Sequence, residues 1–354
     1  MNSPKRAIAG LLLIVIAIAG ALLWLRLFRV PENVAYVTEE DGALSVVDLS
    51  SLKVVRRVHP ADFAPRGLGV TSDGKYVVTA NKNTADIAVF STPRLRLVRR
   101  IHLGDNPEFI KINPAGDTLL ATFEPGAVAG PPGAKSESEE ADEPPAQIAS
   151  FHIPDWLPGP VRTAGKETEG LEFSRDGKYL LVTNEAENTI GIYNADSGSR
   201  IQEINLEPYG QRPRGIKASP QGTGYAVTME GSGTLLTLSR DFQVTKAVPT
   251  AAKPYGIAFD RAGARIFVAA AQARKLQVFS ADSMQLIAEI PTGQRCWHFT
   301  FTPDDSKILL ACGRSNNIVV VDANGYKPLQ TIEGFKLPWG IVTYPRSYGS
   351  MGLP

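Results

Sequence analysis

Residues 169–196 read EGLEFSRDGKYLLVTNEAENTIGIYNAD. A short apolar strand comes first, then a polar turn at 174–178. A second strand covers 179–183, a polar loop follows, and a third strand covers 189–194. Runs of this length, rich in Tyr, Val, Leu and Ile and bounded by Asp, Gly and Asn, are β-strands joined by tight turns. The same phrase recurs along the chain. One fixed position within it is occupied by Gly67, Phe109, Gly170, Gly215, Gly256, His298 and Gly340, at intervals of 42, 61, 45, 41, 42 and 42 residues. The long interval holds an insertion; without it every unit is about 42 residues, the length of a four-stranded propeller blade.

Seven phase positions imply seven units, and one unit cannot cover its own apolar faces. The last unit stops after a single strand at 340–344. The start of the chain supplies what is missing: 34–38, 44–49 and 53–58 read as second, third and fourth strands. The predicted fold is therefore all-β, a seven-bladed β-propeller over 33–345, its last blade shared by the two chain ends, with 346–354 as a tail. Closure removes open sheet edges. A β-solenoid or a pair of β-sandwiches is disfavoured, because neither explains a split unit.

The pattern resembles the YVTN family of β-propellers. The residues that carry the likeness are Pro65-Arg66-Gly67, Ser72-Asp73-Gly74-Lys75-Tyr76 and Thr79-Ala80-Asn81. They recur as Asp176-Gly177-Lys178-Tyr179, Val182-Thr183-Asn184 and Asn188-Thr189-Ile190. The resemblance implies relatives among periplasmic proteins of respiration and quinoprotein catabolism. It also implies distant similarity to the heme-binding propeller of dissimilatory nitrite reductase and to propeller lactonases. It specifies the fold strongly and the function weakly, since propellers host many activities.

Two other segments stand apart from the repeat. Residues 7–25 carry no charge over 19 positions, with Lys5 and Arg6 before them and Arg26 and Arg29 after. About 20 such residues cross a bilayer. Residues 1–30 are thus expected to form a single transmembrane helix that holds the propeller at the inner membrane, on the periplasmic side. A cleaved signal peptide is the rival, with Ala17-Ile18-Ala19 as its site. The apolar run continues through Leu22-Leu23-Trp24, which favours the uncleaved anchor. Residues 124–147, EPGAVAGPPGAKSESEEADEPPAQ, fall in blade 2 and have almost no large apolar side chain, so they are expected to be a disordered surface loop. The sharper alternative is an acidic arm over one mouth of the ring, meeting a basic partner. A net charge of +1 gives no electrostatic case for nucleic acid.

Chemistry is sought where the repeat converges. Residues at one repeat position ring the axis. Just before the phase stand Arg66, Glu108, Glu169, Arg214, Tyr255, Trp297 and Trp339; the second strands add Glu39, Asn81, Asn184, Glu185, Glu230 and Arg314. If the strand after the phase is innermost, these residues surround one mouth of a central channel. They suit a small anionic or planar ligand. They equally suit mutual ion pairs that staple neighbouring blades. His298 replaces a glycine on the innermost strand, which makes it a candidate ligand for heme iron or a base, or else a packed core histidine. Cys296 and Cys312 flank a hairpin turn almost opposite each other, placed for a disulfide in an oxidising compartment. No His-x-x-x-His, Cys-x-x-Cys or Cys-x-x-Cys-His spacing occurs, so no zinc site and no c-type heme attachment is expected. Phosphate-loop and nucleophile-elbow motifs are also missing.

The leading functional expectation is a non-enzymatic binding or accessory protein for a partner protein or small ligand. The alternatives are a lactonase-type hydrolase built on Arg66, Arg214, Glu185 and His298, and a heme-binding propeller.

Overall fold

The computed structural model describes residues 32–92, 94–126 and 144–352. It contains seven four-stranded antiparallel sheets. Blades 1 to 6 run in chain order, with inner strands Pro65–Val70, Ile110–Ile112, Thr168–Phe173, Pro213–Ala218, Pro254–Phe259 and Cys296–Phe301. Blade 7 joins the chain ends: Pro338–Tyr344 pairs with Val34–Glu39, Val34 opposite Tyr344, and Ala43–Asp48 and Lys53–Val58 complete the sheet. The chain is a seven-bladed β-propeller, closed as the split unit predicts.

The strand sequences follow from their place in each blade. Second and third strands such as VAYVTE, IVVVD and YLLVTN are buried on both faces, because sheets stack against sheets. Their apolar runs are therefore nearly continuous. Outer strands such as Arg96–His102 meet water and are exposed over most of their length. The Asp-Gly turns are fixed by the aspartate. Thr71 donates to Asp73 at 2.7 Å, the Lys75 amide donates to the same carboxylate at 3.0 Å, and Gly74 takes φ 67°. Such Asx turns mimic a backbone turn.

The phase glycines have a separate cause. A Cβ on Gly67 would lie 2.4 Å from the Glu108 carbonyl, and one on Gly215 would lie 2.5 Å from the Tyr255 carbonyl. The next inner strand passes too close for any side chain there. Just before this position the ladder bulges, between Pro65 and Leu68, Thr168 and Gly170, Pro213 and Ile216, and Cys296 and His298. Bulges re-aim side chains. Here they turn Arg66, Glu169, Arg214 and Trp297 at the mouth.

Cys296 and Cys312 are directly paired across the blade 6 hairpin and form a disulfide. The bridge closes a loop of sequence separation 16, which constrains the unfolded chain by about 3 kcal/mol. The Cys296→Ser/Cys312→Ser protein should melt roughly 5 °C lower. A shift within about 2 °C would remove the bridge from the stability account.

One boundary differs from the sequence reading, another lies outside the described residues, and the tail has a defined place. The anchor expected over residues 1–30 lies outside the described residues; among those described, no helix is long and apolar enough to cross a membrane. The insertion is narrower than 124–147. Glu124 is buried and accepts from Asn106 at 2.6 Å, Ala146 is buried, and Gln147 opens the strand Gln147–His152. The proposed disorder and acidic arm rest on 127–143, outside the described residues. Finally, the tail over 346–352 packs against blade 6. The Ser350 amide donates to Phe299 O at 2.9 Å and the Phe301 amide to Tyr348 O at 2.8 Å, while Ser347, Ser350 and Met351 are buried. The tail adds to the free, channel-side edge of the blade 6 inner strand. That satisfies backbone groups no other sheet reaches.

Candidate functional site

The inner strands begin, and the second strands end, at one face of the ring. All seven predicted pre-phase residues lie there, each buried: Arg66, Glu108, Glu169, Arg214, Tyr255, Trp297 and Trp339. They sort into two charge clusters and an aromatic one.

The larger charge cluster centres on Arg214. Its guanidinium reaches Glu169 at 2.5 Å, Glu230 at 2.5 Å and Glu185 at 2.8 Å. Arg212 adds a bond to Glu185 and one to Glu167 at 3.2 Å. Burial opposes the Arg214 charge, but Glu169, Glu185 and Glu230 outweigh it and hold the guanidinium above its usual range. Burial pushes Glu169 and Glu185 upward despite Arg214, and like-charged neighbours add to the shift. Glu230 goes the other way. Its burial is overcome by Arg214 and more distantly by Lys253 and Arg295, so it stays ionised. The smaller cluster is Arg66, held by Glu40 at 2.6 Å and Glu108 at 2.7 Å. The two arginines thus link blades, as the stapling alternative requires. Asn81 and Asn184 also reach this face but bond within their own blades: Asn81 donates to Asp86 at 2.7 Å, and Asn184 donates to Thr189 at 3.0 Å and accepts from the Gly165 amide at 3.1 Å.

The aromatic cluster fills the channel below the mouth. Phe109 and His298, the two phase residues that are not glycine, meet across it with ring centroids 5.8 Å apart. Tyr255 lies 5.3 Å and Trp339 4.4 Å from His298. Tyr255 bridges to the charge cluster, since the Arg214 guanidinium sits 4.3 Å over its ring. Trp297 belongs to the same apolar cluster, its ring against Gly313. His298 Nδ1 faces Ser350 Oγ at 3.0 Å. Burial, then Arg214 and Lys217, keep its imidazole well below the usual range and therefore neutral. The space beside it is ≈ 10 Å³, about what one water needs. A porphyrin does not fit there, so the sequence expectation of a heme ligand at His298 fails on packing. Among the described residues, no group of three or more His, Cys, Asp or Glu is arranged to hold a metal ion.

Several polar atoms of this region are buried without a partner among the described residues: Glu169 Oε2, Tyr255 Oη, His298 Nε2, Trp297 Nε1 and Trp339 Nε1. Native interiors leave few such atoms, and each calls for a cause.

Residues 148–256 match the family described as lactonase, 7-bladed beta-propeller. The chain is similar to lactonase propellers. That segment contains Glu169, Glu185, Arg214 and Tyr255. No curated protein matches the chain in sequence. Among solved structures, a functionally unknown protein from Desulfotomaculum acetoxidans aligns with TM-score 0.74 and 15% identity, over 88% of this chain and 98% of its own. The periplasmic gluconolactonase PpgL of Pseudomonas aeruginosa gives 0.70 and 16%, over 88% and 98%. The dihydro-heme d1 dehydrogenase NirN gives 0.63 and 15%, over 88% and 75%. The likeness to propeller lactonases and to a heme-linked propeller, read from the repeat, is found again. At these identities the structural matches speak for the fold.

Sequence reasoning missed a second buried cluster, two residues beyond the phase. Lys111 and Lys217 contact the same Glu172 oxygen at 2.9 and 3.0 Å, all three fully inside the ring. Lys217 also points to Gly352 O of the tail at 3.4 Å. Burial, offset in part by Glu172, pulls the Lys111 ammonium down to about 7. The signal was present: that column reads Gly69, Lys111, Glu172, Lys217, Ala258, Thr300 and Val342. Three charges in a column of otherwise uncharged residues on the innermost strand point to one another.

Proposed function

We propose that this protein is an exported propeller, held at the inner membrane by residues 7–25, which binds a small ligand at its channel mouth as a non-enzymatic binding or accessory protein. The observation that carries the reading is the set of unpartnered buried atoms at this face: Glu169, Tyr255 and His298 line one pocket, and Trp297 and Trp339 belong to the aromatic cluster beside it. Arg66 and Arg214 are already held by carboxylates, so the ligand suited to this mouth is neutral, flat and rich in hydrogen-bonding oxygens. In this reading the ligand sits at the mouth, above the aromatic cluster, because the space beside His298 is only ≈ 10 Å³. The Cys296–Cys312 bridge suits an oxidising compartment.

Lactone hydrolysis is the second reading. It is favoured by the family match over 148–256 and by the meeting of Glu169, Arg214, Tyr255 and His298 at one pocket. In it, a carboxylate or imidazole would take a proton from water as the water attacks the ring carbonyl; the ring acyl C–O bond then breaks, and the proton passes to the leaving ring oxygen, giving the open-chain hydroxy acid. An arginine would steady the oxyanion. Its weakness is that Arg214 is committed to three carboxylates.

One titration separates the readings. The full chain in detergent is mixed with sugar lactones, their open-chain acids and quinones. Tryptophan emission reports binding near Trp297 and Trp339, and acid release reports hydrolysis. The binding reading expects an emission change without turnover, and about fivefold weaker binding in Tyr255→Phe. Turnover that disappears in Glu169→Gln would establish the enzyme. Neither signal with any compound would leave the mouth a structural staple.

A further inference from the structure

We propose that the outer edge of blades 7 and 1 lies flat on an anionic phospholipid surface, a reading that rests on the proposed membrane anchor. Blade 7's outer strand, Lys53–Val58, carries Lys53, Arg56 and Arg57; blade 1's outer strand, Arg96–His102, carries Arg96, Arg99 and Arg100. Neither strand has an acidic residue. The outer strands of the other five blades, Arg162–Thr163, Arg200–Asn205, Val244–Pro249, Leu286–Pro291 and Lys327–Ile332, carry at most one basic residue each. The two basic strands belong to adjacent blades. Arg100 crosses between them, donating to Ala61 O at 3.2 Å in the connection from blade 7 to blade 1.

Pairing neutralises only part of this charge. Arg57 is bound by Glu39 and Arg100 by Asp86, each at 2.9 Å. Lys53, Arg56, Arg96 and Arg99 have no carboxylate within ion-pair distance among the described residues; Arg99 reaches only the Asp155 carbonyl, at 2.7 Å. Those four cations lie along one edge of a protein whose net charge is +1.

The tether brings that edge to the bilayer. The uncharged run ends at Arg26, and blade 7 begins at Val34. The chain between them spans at most about 28 Å. Val34 opens a strand that ends at the mouth with Glu39, so the tether joins the opposite face, in the blade that carries Lys53 and Arg56. Each basic residue near an anionic surface gains about a fivefold preference, within a Debye length of about 8 Å at physiological salt. Docking on this edge leaves the channel mouth clear of the lipid.

The test places the full chain in nanodiscs of phosphatidylcholine, with or without phosphatidylglycerol, and follows backbone hydrogen exchange. The expected result is exchange at least about fivefold slower at residues 53–59 and 94–102 in the anionic discs only. High salt should reverse the slowing, while blades 3 to 5 stay unchanged. The variant Lys53→Glu/Arg56→Glu/Arg96→Glu/Arg99→Glu should lose the difference. Equal exchange in both discs, with the chain retained in each, overturns the docking and leaves the anchor standing. A chain that leaves both kinds of disc overturns the anchor and this proposal with it.

Discussion

Replacing Arg214 with Met lowers the melting temperature by roughly 5–8 °C at pH 8, and by clearly less at pH 5. The magnitude follows from what remains. Glu169, Glu185 and Glu230 are all buried and would keep their positions without the cation that all three contact. Removing one partner of a buried ion pair costs about 3–5 kcal/mol; here Glu169 and Glu230 lose their close cation, while Glu185 keeps Arg212. The pH dependence follows by linkage. Without Arg214 the folded-state carboxylates titrate above their unfolded values. The folded protein then holds more protons than the unfolded chain in that window, and stability falls as pH rises through it. The gap between wild type and variant therefore widens from pH 5 to pH 8. Thermal scans at the two values decide the matter. Melting temperatures within about 2 °C of wild type at both would show that the mouth pairs contribute nothing to holding the blades.

The second large effect lies deeper in the channel. Glu172→Gln leaves the ammonium groups of Lys111 and Lys217 buried with no anion between them, at a cost of about 3–5 kcal/mol at neutral pH. Here the sign is opposite. Lys111, already drawn down by burial, loses its anion in the variant and titrates further below its unfolded value; the unfolded chain binds more protons, and stability rises with pH. The deficit should shrink between pH 7 and pH 10. Even in the wild type, Lys111 is drawn down to about 7, so its burial is least costly at alkaline pH. Adding Lys111→Met to Glu172→Gln should return part of the lost stability, since it removes one uncompensated ammonium and its repulsion of Lys217. Failure of that rescue, with the deficit the same at both pH values, would mean that the cost of Glu172→Gln is steric and not electrostatic.

The mouth and the lower channel differ in how readable they were. Arg66, Glu169, Arg214 and Tyr255 follow from the repeat alone, because equal places in the phase are equal places round the axis. Their partners do not follow. Glu40 lies between blade 7's second and third strands and meets Arg66 only because the ring closes between the two chain ends. The fate of His298 was equally hidden. Its contact with Phe109 spans 189 positions of sequence and depends on the width of the channel, and its Ser350 partner comes from a tail with no strand pattern.

The sequence by itself determined the number of blades, the shared last blade, the turns and the ring of residues at the mouth. These depend on local periodicity and on steric rules, such as the glycine that lets the next inner strand pass, and such rules act within one repeat. Only the tertiary structure decided which charges were consumed by one another, that aromatic rings close the channel beneath the mouth, and that residues 346–352 fill its lower part. Those outcomes turn on distances across the ring, where a few ångströms separate an open pocket from a packed core.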